Sequence, residues 1–151
     1  MSSALRQPGK NRERREADSS DEVLVGPFGV DHVLSRSRGE IERVSPREAA
    51  LLQRGGGLIV DIRPESDRRA EGAIPDSLHV ERIVLEWRLD PAGPHRLPGL
   101  RADQPVVVVC NEGYASSLAA AQLRELGLAR AADLAGGFRA WSAAGLPVAV
   151  D

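Results

Sequence analysis

Chemistry in this chain converges on a single thiol. Cys110 is the only cysteine among 151 residues; it follows Val106-Val107-Val108-Val109 and opens the segment Cys110-Asn111-Glu112-Gly113-Tyr114-Ala115-Ser116-Ser117. An all-valine run bounded by Gln104-Pro105 reads as a fully buried, parallel strand. The alanine- and leucine-rich run behind the cysteine predicts a helix over 116–126, ended by Gly127. The thiol is therefore expected at the carboxyl end of a central strand, in a tight loop that opens into a helix N-terminus, where open α/β sheets bind ligands. Partial positive charge at such an end favours the nucleophilic thiolate, which an ordinary cysteine populates to only about 3% at neutral pH. Within the valine run the cysteine would read as a small core hydrophobe. At the junction, with Gly113 permitting close backbone approach, it reads as reactive.

Other site chemistries fail on count or context. One cysteine permits neither an internal disulfide nor a Cys-x-x-Cys pair. His32, His79 and His95 are scattered without zinc-ligand spacing, so neither a metal nor a cofactor is expected. Gly55-Gly56-Gly57 precedes a strand and is not followed by a Lys-Ser/Thr pair, which makes it a turn and not a phosphate cradle. A cysteine phosphatase needs an arginine six residues after the nucleophile to grip phosphate bidentately, and that position is Ser116.

The elements that must position the thiol follow from hydrophobic pattern and turn residues. Ser45-Pro46-Arg47-Glu48 is a helix start, with Ser45 as N-cap, Pro46 in the first turn and Glu48 closing a capping box. That helix, which follows a short strand at 41–44, ends at the glycine triplet. Leu58 to Ile62 is a second buried strand, with Asp61 and Arg63 at its carboxyl end as supporting residues. A charged helix or turn over 64–71, a brief strand at 78–80, a half-buried helix over 83–89 carrying Trp87 and a proline-rich loop over 90–100 come next. Ala131 to Leu134 forms the last strand, and Gly136-Gly137 turns into a helix that places Phe138 and Trp141 on one face. Strands alternating with helices imply a parallel sheet covered on both faces. Val30, Val33 and Leu34 have helical spacing and predict a short helix over 30–38 packed on the domain.

Asp61-Ile62-Arg63, Gly72-Ala73-Ile74-Pro75-Asp76-Ser77, the cysteine segment and Leu134-Ala135-Gly136-Gly137-Phe138-Arg139-Ala140-Trp141 together resemble a single-domain rhodanese, from about Ile41 to Val150. The resemblance implies a rhodanese-like α/β fold, a five-stranded parallel sheet flanked by helices on both faces. It also implies a sulfurtransferase in which Cys110 carries a persulfide held by the N–H groups of Asn111, Glu112, Gly113, Tyr114, Ala115 and Ser116. Its partners would be a small sulfur donor and a thiol, a cyanide-like nucleophile or a protein thiol as acceptor. Rhodanese loops that take thiosulfate often carry basic or hydroxyl side chains, whereas this one offers Asn111, acidic Glu112, Tyr114 and Ala115 before Ser116. Ser116 is expected to cap the helix or to touch substrate. Arg63, Arg82 and Arg88 are candidates for the missing positive charge, each with an ordinary ion pair or solvated surface position as its alternative. A weakly active sulfur-sensing or protein-interaction module is the competing function.

The whole chain sets bounds on these readings. Residues 1–28 are expected to form a disordered charged tail, since 1–22 has almost no apolar content, and 29–151 a single domain with its short N-terminal helix. Aromatic residues make up only 3% of the chain against 42% hydrophobic, so the core must be aliphatic. A net charge of −2 and a pI near 5.9 give no general attraction to nucleic acid or to anionic membrane. With no membrane-length apolar segment and no signal-like N-terminal region, the expectation is a soluble cytoplasmic protein.

Overall fold

The computed structural model describes residues 26–150. The expected disordered tail falls almost wholly outside them. The described residues fall into two units that divide within the first helix, after His32. A tight turn closed by Phe28 N–H on the Gly26 carbonyl leads into helix α1, Gly29–Arg38. The expectation that Val30, Val33 and Leu34 would pack this helix down is not met. Val30 and Val33 are exposed and Leu34 is half-buried, while the buried residue of α1 is Ser37. The last turn of α1 instead contributes a polar side chain, Arg38, to the site described below.

In the second unit the elements run β1 (Glu42–Val44), α2 (Pro46–Arg54), β2 (Leu58–Asp61), α3 (Glu65–Glu71), β3 (Leu78–His79), a 3-10 turn (Arg82–Val84), α4 (Leu85–Arg88), β4 (Val106–Val109), α5 (Ala115–Glu125), β5 (Ala131–Leu134) and α6 (Gly137–Ala143). Helix α2 begins with the full capping box: Ser45 Oγ accepts the Glu48 N–H while Glu48 accepts the Ser45 N–H. The five-stranded sheet has the order β1-β5-β4-β2-β3, with every pairing parallel.

Strand β4 is central and buried along its whole length, as a sheet covered on both faces requires. Alternation of side chains divides its valines between two cores. Val106 and Val108 pack with Leu85, Leu89, Ala120 and Leu123 on one face; Val107 and Val109 pack with Ala49, Phe138 and Trp141 on the other. The sheet order also fixes where a site can form. The chain leaves β2 toward β3 and leaves β4 toward β5, in opposite directions, so a crevice opens between the carboxyl ends of β2 and β4. Among the described residues no helix is long and apolar enough to cross a membrane.

Leu123, fully buried where α5 meets the sheet, has little room to collapse around a deletion. Leu123→Ala is expected to cost about 2–5 kcal/mol of unfolding free energy, measured by chemical denaturation.

Candidate active site

Cys110 follows β4 directly, at the crevice the sheet order creates, and is 8% exposed. Its sulfur accepts the backbone N–H of Gly113 at 3.1 Å and of Ser116 at 3.3 Å. The outer side of the loop explains why its N–H groups turn inward. The Cys110 carbonyl accepts the Phe138 N–H at 2.8 Å, and the Asn111 carbonyl accepts the Arg139 N–H at 3.2 Å. The Gly113 carbonyl accepts both Arg38 Nη2 at 2.7 Å and Arg43 Nη2 at 2.8 Å. With these carbonyls bonded outside the loop, its peptide units are fixed, and the N–H groups of Gly113 and Ser116 are the ones that reach the sulfur. The resulting concave array of donors is a nest for negative charge.

Two glycine turns interlock to make this possible. Gly113 (φ +89°) lies so close to the β5–α6 turn that a Cβ there would sit 2.8 Å from the Gly136 nitrogen and 3.2 Å from the Leu134 carbonyl oxygen. Gly137 (φ +68°) lies against the cysteine loop, where a Cβ would meet the Asn111 and Cys110 carbonyl oxygens at 2.5 and 2.6 Å. Only glycine permits both the backbone conformation and the approach.

Beneath the thiol is a buried polar hub that sequence reasoning missed. Asp133, fully buried in β5, accepts Ser116 Oγ and Ser117 Oγ, each at 2.8 Å, and Arg43 through Nε at 2.9 Å and Nη2 at 3.2 Å. Arg38 Nε donates to Ser117 Oγ at 3.0 Å. Ser116 is therefore not the N-cap of α5, and its hydroxyl is turned inward. It lies inside α5, fully buried, with its hydroxyl between the Asp133 carboxylate and the Cys110 sulfur, from which it stands 3.2 Å. The overlooked signal is a carboxylate in an otherwise apolar strand, Ala131-Ala132-Asp133-Leu134, since a buried charge must be paired.

Above the thiol is a cavity of about 260 Å³, lined by Ile62, Arg63 and Pro64 after β2, by Arg82, and by Cys110, Asn111, Glu112, Tyr114 and Ala115. Asp61 and Arg63 form a buried ion pair at 2.9 Å; Arg63 also donates to the Gly72 carbonyl at 2.7 Å and lies over the Phe138 ring at 4.0 Å. His79 Nε2 bonds the Arg63 carbonyl at 2.7 Å. Arg82 pairs with Glu86 at 2.9 Å, and Arg88 donates to the His95 carbonyl outside the cavity lining. Each arginine proposed as a source of positive charge thus has its ordinary structural partner. Asn111 Nδ2 donates to Asp67 at 3.0 Å.

Glu112 lines the mouth, but its charge is shared: Arg139 binds it at 3.0 Å and Glu71 at 2.8 Å. The Arg139 hydrogen bond, with help from the charges of Arg139 and Arg63 and against partial burial, holds the Glu71 carboxyl below its usual range. Glu71 in turn, ahead of Glu112, raises the Arg139 guanidinium above its ordinary value. A lowered carboxyl means the pair persists as pH falls past the ordinary glutamate range and is lost only when Glu71 itself protonates.

Asp133→Ala strands two buried hydroxyls and the Arg43 guanidinium, and is expected to destabilise the protein by about 2–4 kcal/mol in denaturant titrations. Gly137→Ala should lower both the melting temperature and the rate of Cys110 alkylation, because the added methyl displaces the carbonyls that orient the loop. An unchanged alkylation rate would show that the loop does not depend on the β5–α6 turn.

The chain's similarities to known proteins cover the same elements. The rhodanese-like domain model matches residues 45–144. The thiosulfate sulfurtransferase GlpE of Stutzerimonas stutzeri is 32% identical over 102 residues, spanning 68% of this chain and 85% of the relative. Among solved structures, a Rhodopseudomonas palustris protein described as a possible tyrosine phosphatase matches with a TM-score of 0.73 at 32% identity, covering 84% of this chain and 98% of that one. The polysulfide-sulfur transferase homodimer of Wolinella succinogenes gives 0.63 at 26% identity, covering 78% and 85%. The family match takes in both the cysteine loop and the glycine turn that anchors it, and the chain belongs to the rhodanese-like domain family.

Proposed function

We propose that the protein is a sulfurtransferase that carries sulfane sulfur as a persulfide on Cys110. The observation that carries this reading is the thiol itself, at the end of the central strand, receiving two backbone N–H groups at the entrance to α5 and facing a cavity large enough for a small donor. The Cys110 thiolate attacks the outer sulfur of a donor. A new S–S bond forms, the donor's own bond to that sulfur breaks, and its remainder leaves with the electron pair. An acceptor nucleophile, a small thiol, a cyanide-like anion or a protein thiol, then attacks the outer sulfur and Cys110 departs as thiolate. Loop amides hold the anion in both states, so no general base is required beside the sulfur. Relatives named for transfer of thiosulfate or polysulfide sulfur support this reading. A cytoplasmic setting suits it, because thiols stay reduced there.

Phosphate chemistry fits the loop poorly. The position where a phosphatase arginine would stand is Ser116, turned inward onto an aspartate. A second reading, a slow sulfur-sensing or protein-interaction module, draws on one observation. Ile83 and Trp87 are 79% and 60% exposed beside Arg82, which itself lines the cavity.

Cys110→Ser is expected to fold normally and to form no persulfide, read as the absence of a mass increase of one sulfur atom after exposure to donor. Sulfur transfer by the folded serine variant would overturn the covalent mechanism. Loading of the wild-type protein that no acceptor discharges catalytically would favour the sensing module.

A further inference from the structure

Resting on the sulfurtransferase reading, we infer that the donor is an organic sulfane-sulfur compound with an apolar substituent, a persulfide R–S–SH or its anion, and not an inorganic dianion. Among the described residues that line the cavity, no cation is unpaired. Arg63 is sealed against Asp61, with its one unbonded nitrogen shut off from solvent, and Arg82 is held by Glu86. Arg139 is shared between Glu112 and Glu71, so this cluster leaves one net negative charge at the mouth. What remains for a donor is the set of loop amides and an apolar wall from Ile62, Pro64, Tyr114 and Ala115. Tyr114 is 58% exposed, with the Arg38 guanidinium 5.5 Å from its ring centroid. One compensating charge at about 6 Å in an effective dielectric of about 40 changes the affinity of a monoanion roughly tenfold and that of a dianion roughly a hundredfold. A site without one penalises thiosulfate far more than a singly charged or neutral donor, while an apolar wall favours a donor with an organic group to bury.

The reaction balances without a further reagent. Cys110–S⁻ attacks the terminal sulfur of R–S–SH, a new S–S bond to Cys110 forms, the donor's own S–S bond breaks, and R–S⁻ leaves with the electron pair, the proton staying on the new persulfide.

Thiosulfonates, R–SO₂–S⁻, probe the preference with monoanions of graded substituent; they deliver the same sulfur and release R–SO₂⁻. Rates of Cys110 persulfuration, read by intact mass, are to be compared for thiosulfate, methanethiosulfonate and benzenethiosulfonate. We expect the second-order rate constant to rise at least about tenfold from the methyl to the phenyl compound and to be lowest for thiosulfate. Tyr114→Ser should reduce the phenyl-to-methyl ratio. Ala115→Lys, at an exposed position, should raise the thiosulfate rate by about tenfold or more relative to benzenethiosulfonate. Thiosulfate matching or exceeding benzenethiosulfonate, or rates indifferent to the substituent, would overturn the inference and leave sulfur transfer standing. If none of the donors loads Cys110, the sulfurtransferase reading fails with it.

Discussion

Everything at the carboxyl end of the sheet leans on one buried carboxylate. Asp133 enters from β5, next to Val108 in the parallel register, and is the common acceptor for Ser116, Ser117 and Arg43. A lone ion there would be strongly unfavourable. Saturated with donors it becomes a rigid fixture, tying the start of α5 to β1 and β5. Arg43 passes the constraint on by also binding the Gly113 carbonyl, and Arg38 repeats that bond from the end of α1. The reactive loop is thus fixed by polar contacts beneath it and by backbone contacts at its side, while apolar packing serves mainly to bring β4, β5 and α5 into range.

Charge is distributed on two levels. Below the loop, Arg38 and Arg43 act through a carbonyl and never reach the cavity floor. Around the cavity, Arg63 and Arg82 are each paired with a carboxylate, and Arg139 is shared by two. The sulfur is therefore served by dipoles instead of ions, and dipole fields weaken faster with distance. A site of this kind stabilises charge developing on the sulfur more than it attracts a charged molecule from solution.

Much of this architecture was legible in the sequence, because the features involved are local. The valine run, the Ser45–Glu48 capping box, the glycine stops and the Phe138/Trp141 face each encode one element, and the cysteine's place after β4 followed from them. The hub was not legible as a hub. Arg38, Arg43, Ser117 and Asp133 come from separate elements and meet only through strand order. Ser116 misled because hydroxyls near helix starts commonly cap, and its inward orientation depends on an aspartate 17 residues away in sequence. The setting of Glu112 was hidden for a similar reason: its partner Arg139 lies on α6 and is shared with Glu71 on α3, three residues that meet only in space. The short α1 shows the limit of periodicity, since Val30 and Val33 are exposed and Leu34 only half-buried while Arg38 makes the contact that matters.

The outward anchoring of the loop carbonyls has a consequence for how the loop is ordered. Reversing a peptide unit at Cys110, Asn111 or Gly113 would require breaking its bonds to Phe138, Arg139 or the two arginines before any replacement formed. The loop is therefore held in one conformation by partners outside it, and the N–H groups of Gly113 and Ser116 keep their places at the sulfur without a ligand to order them.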